Sequence, residues 1–534
     1  MPARTYADLL ALWEATPPEP EPAIAGAGTA AAGGQCAATE IRPNEADDDP
    51  HRLARLNLER YATLRDGRTL RYWRGEWESW RGDRYQRIGE KELSAKMNAS
   101  IKGEFDRLNI EAIGHYLEKK RFGEIDDSND KGPPEAKKVS SQIVSATLAA
   151  TASMVILSDS VQLGTWVPTR ERRPYVSMRN GILDIDAVMA GKEEADCVLP
   201  HSPNWFSLVS IPYDFDSKAG SEPPQCLRYL DRVLESDPER IAICQEWAGY
   251  LLLPVTDYQS FFVSEGDGGN GKSVWEAILT AMLGEINVSN VSLENFGQRF
   301  QLTTTIGRLA NFCGDAADLD KVAEGHIKAF TSGNRMMFDK KNLDPIEDYP
   351  TARLMVSCNS IPRFTDRTDG IWRRMILMPF RTKIAQAERV VGMDKADYWR
   401  ASGELAAIFN WALWGLYRMK QQKGFTTSVV CEAAKRAFRE ELNPAMVFLK
   451  EHLELKAGEI ISSKVLYEIY SAWVQSVGHH RLSERQFGRE LIRCFPSVTR
   501  VQRGSRFERT WCYEGLAFTV NQICDKDTAK ASFF

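Results

Sequence analysis

Eight consecutive residues, Gly266, Asp267, Gly268, Gly269, Asn270, Gly271, Lys272 and Ser273, have types and spacing suited to one kind of chemistry. They satisfy the pattern GxxxxGK[ST]. In it glycines let successive backbone N–H groups converge on an anion, the lysine neutralises outer phosphates and the hydroxyl holds magnesium. Such a loop works only between a strand and a helix. Residues 260–263 supply an apolar lead-in, and residues 274–283 read as the helix leading out. Gly266, Gly268, Gly269, Asn270, Gly271, Lys272 and Ser273 are therefore expected to hold the phosphates of ATP, with Ser273 on Mg2+.

A phosphate loop alone does not separate kinases, GTPases and motors, so the residues that follow it matter. Residues 308–315 read as a mediocre strand, interrupted by Asn311 and ending in Asp315, with Asp318 behind it. An acid there can order magnesium and the attacking water. Residues 353–359 form a clean apolar strand ending in Asn359, where ligands gather in open α/β sheets, and Asn359 can position a lytic water. Arg373 and Arg374 precede another apolar strand, 375–380. A permanently charged planar fork at a domain edge suits a neighbouring subunit's phosphate.

These elements belong to a chain of 534 residues, long enough for about three or four domains. Hydrophobic content of 43% is ordinary for a globular protein. The formal charge of −5 is concentrated in residues 1–50, which hold nine acids and two arginines, so the rest is close to neutral with local basic zones. Ten cysteines scattered without a CxxC pair argue against zinc modules and a disulfide framework. That pattern favours a reducing, cytoplasmic setting. Residues 139–158 carry no charge, yet eight of the twenty are Ser, Thr or Gln, which fits a buried helix better than a membrane span. The amino terminus lacks the basic and apolar regions of a secretory signal.

Residues 1–50 read as a flexible tail rich in Ala, Gly, Pro and acids. At its outer end Tyr6, Leu9, Leu10 and Trp13 form an amphipathic stripe that either docks on a partner protein or packs on its own chain. An N-terminal α+β domain is expected over 51–205. It opens with ten arginines against five acids in residues 51–89, interleaved with Tyr72, Trp73, Trp77, Trp80 and Tyr85 on three short strands. Those aromatics either stack single-stranded bases or make the sheet's own core. Residues 176–185 read as strand, Asn-Gly turn, strand. Alternating strands and helices follow over 206–395, then a helical connector over 396–442, a compact module over 443–518 and a tail over 519–534. In that module Ser483 opens a helix with Arg485, Arg489 and Arg493 on one face, and a hairpin carries Arg503 and Arg506. Helix, helix, basic helix and hairpin is a winged-helix plan. Eight arginines against three acids over 481–509 make duplex DNA its expected partner, with a neighbouring subunit as the alternative.

Over roughly residues 60–515 the sequence resembles the superfamily 3 helicases of the phage and plasmid primase-helicase group, with poxvirus relatives. The carriers are residues 179–184, 245–252, 327–334, 358–362 and 372–380, in the family's order and spacing. The resemblance implies a multidomain α/β protein with an AAA+ type core, a hexameric ring with ATP at subunit interfaces, and translocation on single-stranded DNA. In that pattern Lys272 and Ser273 form Walker A, Asp315 stands at Walker B and Asn359 is the sensor. Arg374 is then the arginine finger acting in trans, with Arg373 as second choice. Residues 335–345 match the central-channel hairpin, and Lys341, beside Lys340, matches the lysine that grips DNA phosphates. Two departures stand out: a lone Asp315 where many relatives have Glu or an acidic pair, and a low-complexity start that leaves no room for a primase. The expected function is an ATP-dependent DNA helicase replicating a phage, plasmid or satellite element. The alternative is an AAA+ initiator or loader that hydrolyses ATP without unwinding. A small-molecule kinase would leave the arginine pair and basic module unexplained.

Overall fold

Asp49 starts the first helix among the described residues, α1 (Pro50–Tyr61): its carboxylate accepts the N–H groups of His51 and Arg52, and Pro50 takes the first helical position, which needs no N–H partner. The computed structural model describes residues 45–125, 130–253, 257–314, 323–341, 344–362, 364, 369–478, 480–504 and 509–519. They fall into two compact units, one running to Thr426 without residues 362–372, the other made of those residues and the chain from Thr427 on. The expected helix at residues 6–13, most of the acidic tail, and Asp315, Asp318 and Arg506 lie outside the described residues.

In the first unit, β1 (Leu70–Trp73), β2 (Glu76–Trp80) and β3 (Tyr85–Ile88) form an antiparallel meander where the three short aromatic-bearing strands were expected. Long α2 (Glu90–Arg121) and α3 (Ser141–Val155) pack beside it, and β4 (Ile156–Leu157) adds to β1 in parallel. Trp77 joins Leu53, Leu70, Ile88, Met97, Phe105 and Leu148 in one core, while Trp73 and Tyr85 pack on Phe206 in a second. Of the two readings of these aromatics, Trp73, Trp77 and Tyr85 follow the core one. The uncharged stretch becomes α3, with Val144, Thr147, Leu148 and Thr151 buried. Among the described residues no helix is long and apolar enough to cross a membrane.

β5 (Tyr175–Met178) and β6 (Gly181–Asp184) form the expected hairpin, extended by β7 (Val198–Leu199). Asn180 at its turn exchanges two side-chain hydrogen bonds with the backbone of Phe215, of 2.9 and 3.0 Å. Helices α4 (Pro224–Val233) and α5 (Pro238–Tyr250) then lead into a parallel sheet of five strands. These are β8 (Phe261–Glu265), β9 (Val288–Ser289), β10 (Ala310–Cys313), β13 (Arg353–Cys358) and β14 (Met375–Pro379), in the order β9-β10-β13-β8-β14. Every residue of β10 and β13 is buried, as expected of a parallel sheet covered on both faces. Helix α6 (Lys272–Leu283) leaves β8, and α7 (Glu324–Thr331) precedes the hairpin of β11 (Met336–Phe338) and β12 (Ile346–Asp348). Helices α8 (Ala396–Ala401) and α9 (Leu405–Gln421) follow the sheet.

One expectation is corrected here. Asn311 does not interrupt β10; it is fully buried and completes it, accepting from Ser289 Oγ at 2.9 Å and Val291 N at 2.8 Å while donating to Val291 O. The amide does between strands what a backbone group would do.

The second unit contains α10 (Val429–Leu442), α11 (Pro444–His452), α12 (Ser463–Ser476) and α13 (Glu484–Cys494). A three-stranded antiparallel sheet, in the order β15 (Leu453–Ser462), β17 (Arg509–Phe518), β16 (Thr499–Gly504), closes it. Phe448, Leu466, Tyr470, Phe487, Leu491 and Tyr513 fill its core, with Tyr470 and Phe487 stacked at 4.4 Å. The ten-residue β15 is an element that the sequence patterning did not indicate.

Candidate functional site

The loop after β8 is shaped by what surrounds it. Gly271 has φ of +97° as it starts α6, and a Cβ there would lie 2.9 Å from Val233. A Cβ on Gly266 would lie 2.2 Å from the Phe380 carbonyl oxygen. Only glycine allows both the turn and the close approach. Latches hold the loop from outside: Asn270 Nδ2 donates to Phe380 O at 2.8 Å, Tyr229 Oη to Gly271 O at 2.8 Å, and Ile384 N to Gly269 O at 3.0 Å. Burial pushes the Tyr229 phenol well above its ordinary pKa, keeping it a donor.

Lys272 is buried, and its ammonium donates to Gly266 O, to Asp267 O at 3.3 Å, to Asn270 Oδ1 at 3.2 Å and to Asn359 Oδ1 at 3.2 Å. β13 runs parallel beside β8, so Asn359 and the loop share the carboxyl edge of the sheet. A cleft of about 910 Å³ opens there, lined among others by Gly268, Gly269, Ser273, Glu276, Asn359 and Arg389. Its donors fit a polyphosphate: a glycine-rich loop, the start of a twelve-residue helix and an ammonium. The exposed Ser273 hydroxyl fits magnesium. Asp315, its expected second ligand, lies outside the described residues.

The arginine pair sits elsewhere. Arg374 O accepts from Phe261 N, so the pair stands at the amino end of β8, whereas Gly266 follows its carboxyl end. At roughly 3.3 Å per residue the strand separates them by well over 10 Å, so neither arginine reaches its own chain's cleft. Arg373 is exposed; Arg374 is half-buried, donates to Gln259 Oε1 at 3.4 Å, and has its pKa lowered by burial and by Arg373.

The segment expected to form a channel hairpin is a hairpin, but its two lysines differ. Lys341 is exposed. Lys340 is buried and ion-paired with Glu76 at 2.5 Å, while Arg74 pairs with Asp348 at the hairpin's other strand. Lys340 is thus engaged by the meander, and the expectation that it meets DNA does not match its placement.

In the second unit, Ser483 and Gln486 form a reciprocal capping box at the start of α13. Arg485 and Arg489 face a groove of about 560 Å³ together with Arg500 and Tyr513. Arg493 is exposed and paired with Glu490 at 2.9 Å, and Arg503 with Glu514 at 3.3 Å. Arg500 stacks on Trp511 at 4.7 Å, a cationic and aromatic pairing on the β16–β17 ladder.

Residues 440–513, most of this second unit, match the family described as Poxvirus D5 protein-like, and residues 264–374 match a family of unknown function, DUF5906. Two curated viral proteins bearing provisional helicase names are similar over the sequence: L207/L206 of Acanthamoeba polyphaga mimivirus, 25% identical over 166 residues, and 121R of Invertebrate iridescent virus 3, 22% identical over 249. These matches support a phage- and poxvirus-type primase-helicase family for the chain. The chain spans only part of those proteins: the matches take in 29% and 40% of this chain but 17% and 26% of theirs. A solved apo structure, the C-terminal region of NrS-1, is similar at 11% identity and a TM-score of 0.45, over 88% of this chain and 99% of that one.

The structure joins Lys272, Ser273 and Asn359 at one cleft and keeps Arg373 and Arg374 apart from it. Sequence reasoning missed Tyr229, Glu276 and Arg389. Glu276 lines the cleft one helical turn beyond Ser273 and accepts from Ser357 Oγ at 3.4 Å. Its i+3 spacing from Ser273 was a usable signal. Tyr229 and Arg389 come from distant segments and left none.

Proposed function

We propose that this chain is an ATP-dependent DNA helicase with an AAA+ type P-loop core, serving replication of a phage, plasmid or satellite element from the host cytoplasm. The observation that carries the reading is the Lys272 ammonium held beside Asn359 at the carboxyl edge of a parallel sheet, next to a loop whose Gly266 and Gly271 leave no room for a Cβ. A lysine already desolvated among carbonyl oxygens exchanges them for phosphate oxygens at small reorganisation cost. Asn359, on the same ammonium, is placed to sense the outer phosphate and orient water. Magnesium, held at Ser273 with Asp315, would offset charge on the outer phosphates. Arg374 or the more exposed Arg373 acts in trans, since neither reaches its own cleft; this requires a closed homo-oligomer, read as a hexamer. Lys341 at the tip of the β11–β12 hairpin follows the DNA backbone as a point charge. The second unit works as a winged-helix-like module, in which Arg485, Arg489, Arg493 and Arg503 meet the phosphates of duplex origin DNA.

Unwinding of a forked duplex by the full chain with ATP and Mg2+ tests this. Strand separation that Lys341→Ala and Lys272→Ala each abolish is expected. ATP hydrolysis without any strand separation would replace the helicase with an initiator or loader.

A further inference from the structure

The cleft has a second half that the phosphate loop does not use. From Ile384 to Ala396 the chain runs along the cleft opposite the exposed side of α6. It is tied to the loop by Ile384 N donating to Gly269 O, and to α8 by Trp399 Nε1 donating to Met393 O at 2.9 Å. Two features of this strap have no role in the core. Val391 is 95% exposed and its neighbour Val390 is 53% exposed, both on the lip of the cleft. Arg389 lies against the loop itself: a Cβ on Gly269 would meet its guanidinium at 2.4 Å.

Lys272 marks the end of the cleft where outer phosphates belong, because its ammonium is beside Asn359. A bound polyphosphate therefore enters the cleft past the start of α6, where Val274 and Ala277 face the strap across the same space. A nucleoside attached to the inner phosphate has one direction left to go. We propose that Val390, Val391 and Met393, facing Val274 and Ala277, form the slot for the nucleobase of a nucleoside triphosphate, with Arg389 on its phosphates. The proposal rests on the loop binding phosphate and adds the site's other half. A planar base covering two exposed valines supplies the apolar burial that a bare polyphosphate cannot.

The test compares the affinities of ATP and inorganic tripolyphosphate for the full chain, by calorimetric titration with Mg2+. Val391→Ser should weaken ATP about tenfold, the scale of one lost valine contact, while leaving tripolyphosphate within about twofold. Val390→Ser, also on the solvent side, should do the same, so the result does not hang on one variant's folding. Arg389→Ala should weaken both ligands. ATP affinity unchanged by either valine variant would overturn the slot, as would equal weakening of both ligands. Wild-type chain that binds neither ligand, like Lys272→Ala, would instead remove the phosphate loop on which the slot depends.

Discussion

Glu104 shows how one residue can anchor an element. Its side chain is 2% exposed and accepts from Arg52 at 2.7 Å, Arg60 at 3.0 Å and Arg107 at 2.8 Å. The Arg107 hydrogen bonds, joined by those of Arg52 and Arg60, lower its pKa to about 2 against the raising effect of burial. Glu104→Ala leaves three guanidinium groups around an empty centre and should cost about 3–5 kcal/mol, read as a drop in the thermal unfolding temperature of the N-terminal part. Glu78 is the opposite case: burial raises its pKa to about 7, with Glu76 adding to the rise and Arg87 and Lys340 opposing it. The folded chain keeps Glu78 protonated where the unfolded chain, at the ordinary 4.5, has lost the proton. Stability should therefore fall as pH rises from about 4.5 to 7, by up to about 3 kcal/mol, and Glu78→Gln should flatten that slope in denaturant titrations. At this scale the sequence was readable wherever chemistry is local: the phosphate loop is contiguous, and Asn359 ends an unbroken apolar strand. Glu104, three acids into a long charged helix, looks like any solvated glutamate until three arginines from two helices converge on it.

Helix α5 and helix α9 illustrate the element scale. Residues 245–252 were recognisable as a family segment, yet their structural role is contact. A Cβ on Gly249 would lie 2.3 Å from Ala412 O, and one on Gly415 would lie 2.2 Å from Gln245 O. Glu246, fully buried, accepts from Arg418 at 2.7 Å and from Thr426 N and Oγ1. Glycine to alanine inside an exposed helix gains up to about 1 kcal/mol in propensity. Here the collision outweighs it, so Gly415→Ala should destabilise by about 1–3 kcal/mol in urea unfolding. A net stabilisation would show that the helices can part without cost. Strands β1, β2 and β3 were legible because Tyr72, Trp73, Trp77, Trp80 and Tyr85, residues that favour strands, recur at short intervals. β15 was not, because eight of its ten residues leave the core and its sequence carries no period. Lys340 and Lys341 look alike in sequence; only the fold of the meander against the hairpin separates the paired one from the exposed one.

At the scale of the whole molecule, the arginine pair and the cleft lie at opposite ends of one strand. On the proposed reading Arg389 serves the chain's own phosphates while the transition-state arginine comes from a neighbouring copy, which would make catalysis a property of the assembly. Lys272→Ala and Arg374→Ala should each abolish ATP turnover, yet equimolar mixtures should recover part of it, since one interface can combine two intact halves; Arg373→Ala in the same mixtures identifies which arginine crosses. No recovery at any ratio would remove catalysis in trans. Lys341→Ala should keep basal turnover and lose its stimulation by DNA, and equal loss of both would place Lys341 in folding. The separation of residues 374 and 266 along β8 was not legible in the sequence, because it follows from the pairing of β14 with β8 and not from local pattern.

Steady-state ATP hydrolysis, measured with and without single-stranded DNA and with Lys272→Ala as control, bears most directly on the claim that the cleft drives a DNA motor. Turnover that rises with single-stranded DNA and disappears in Lys272→Ala is the predicted result. Turnover indifferent to DNA, or surviving Lys272→Ala, would contradict it.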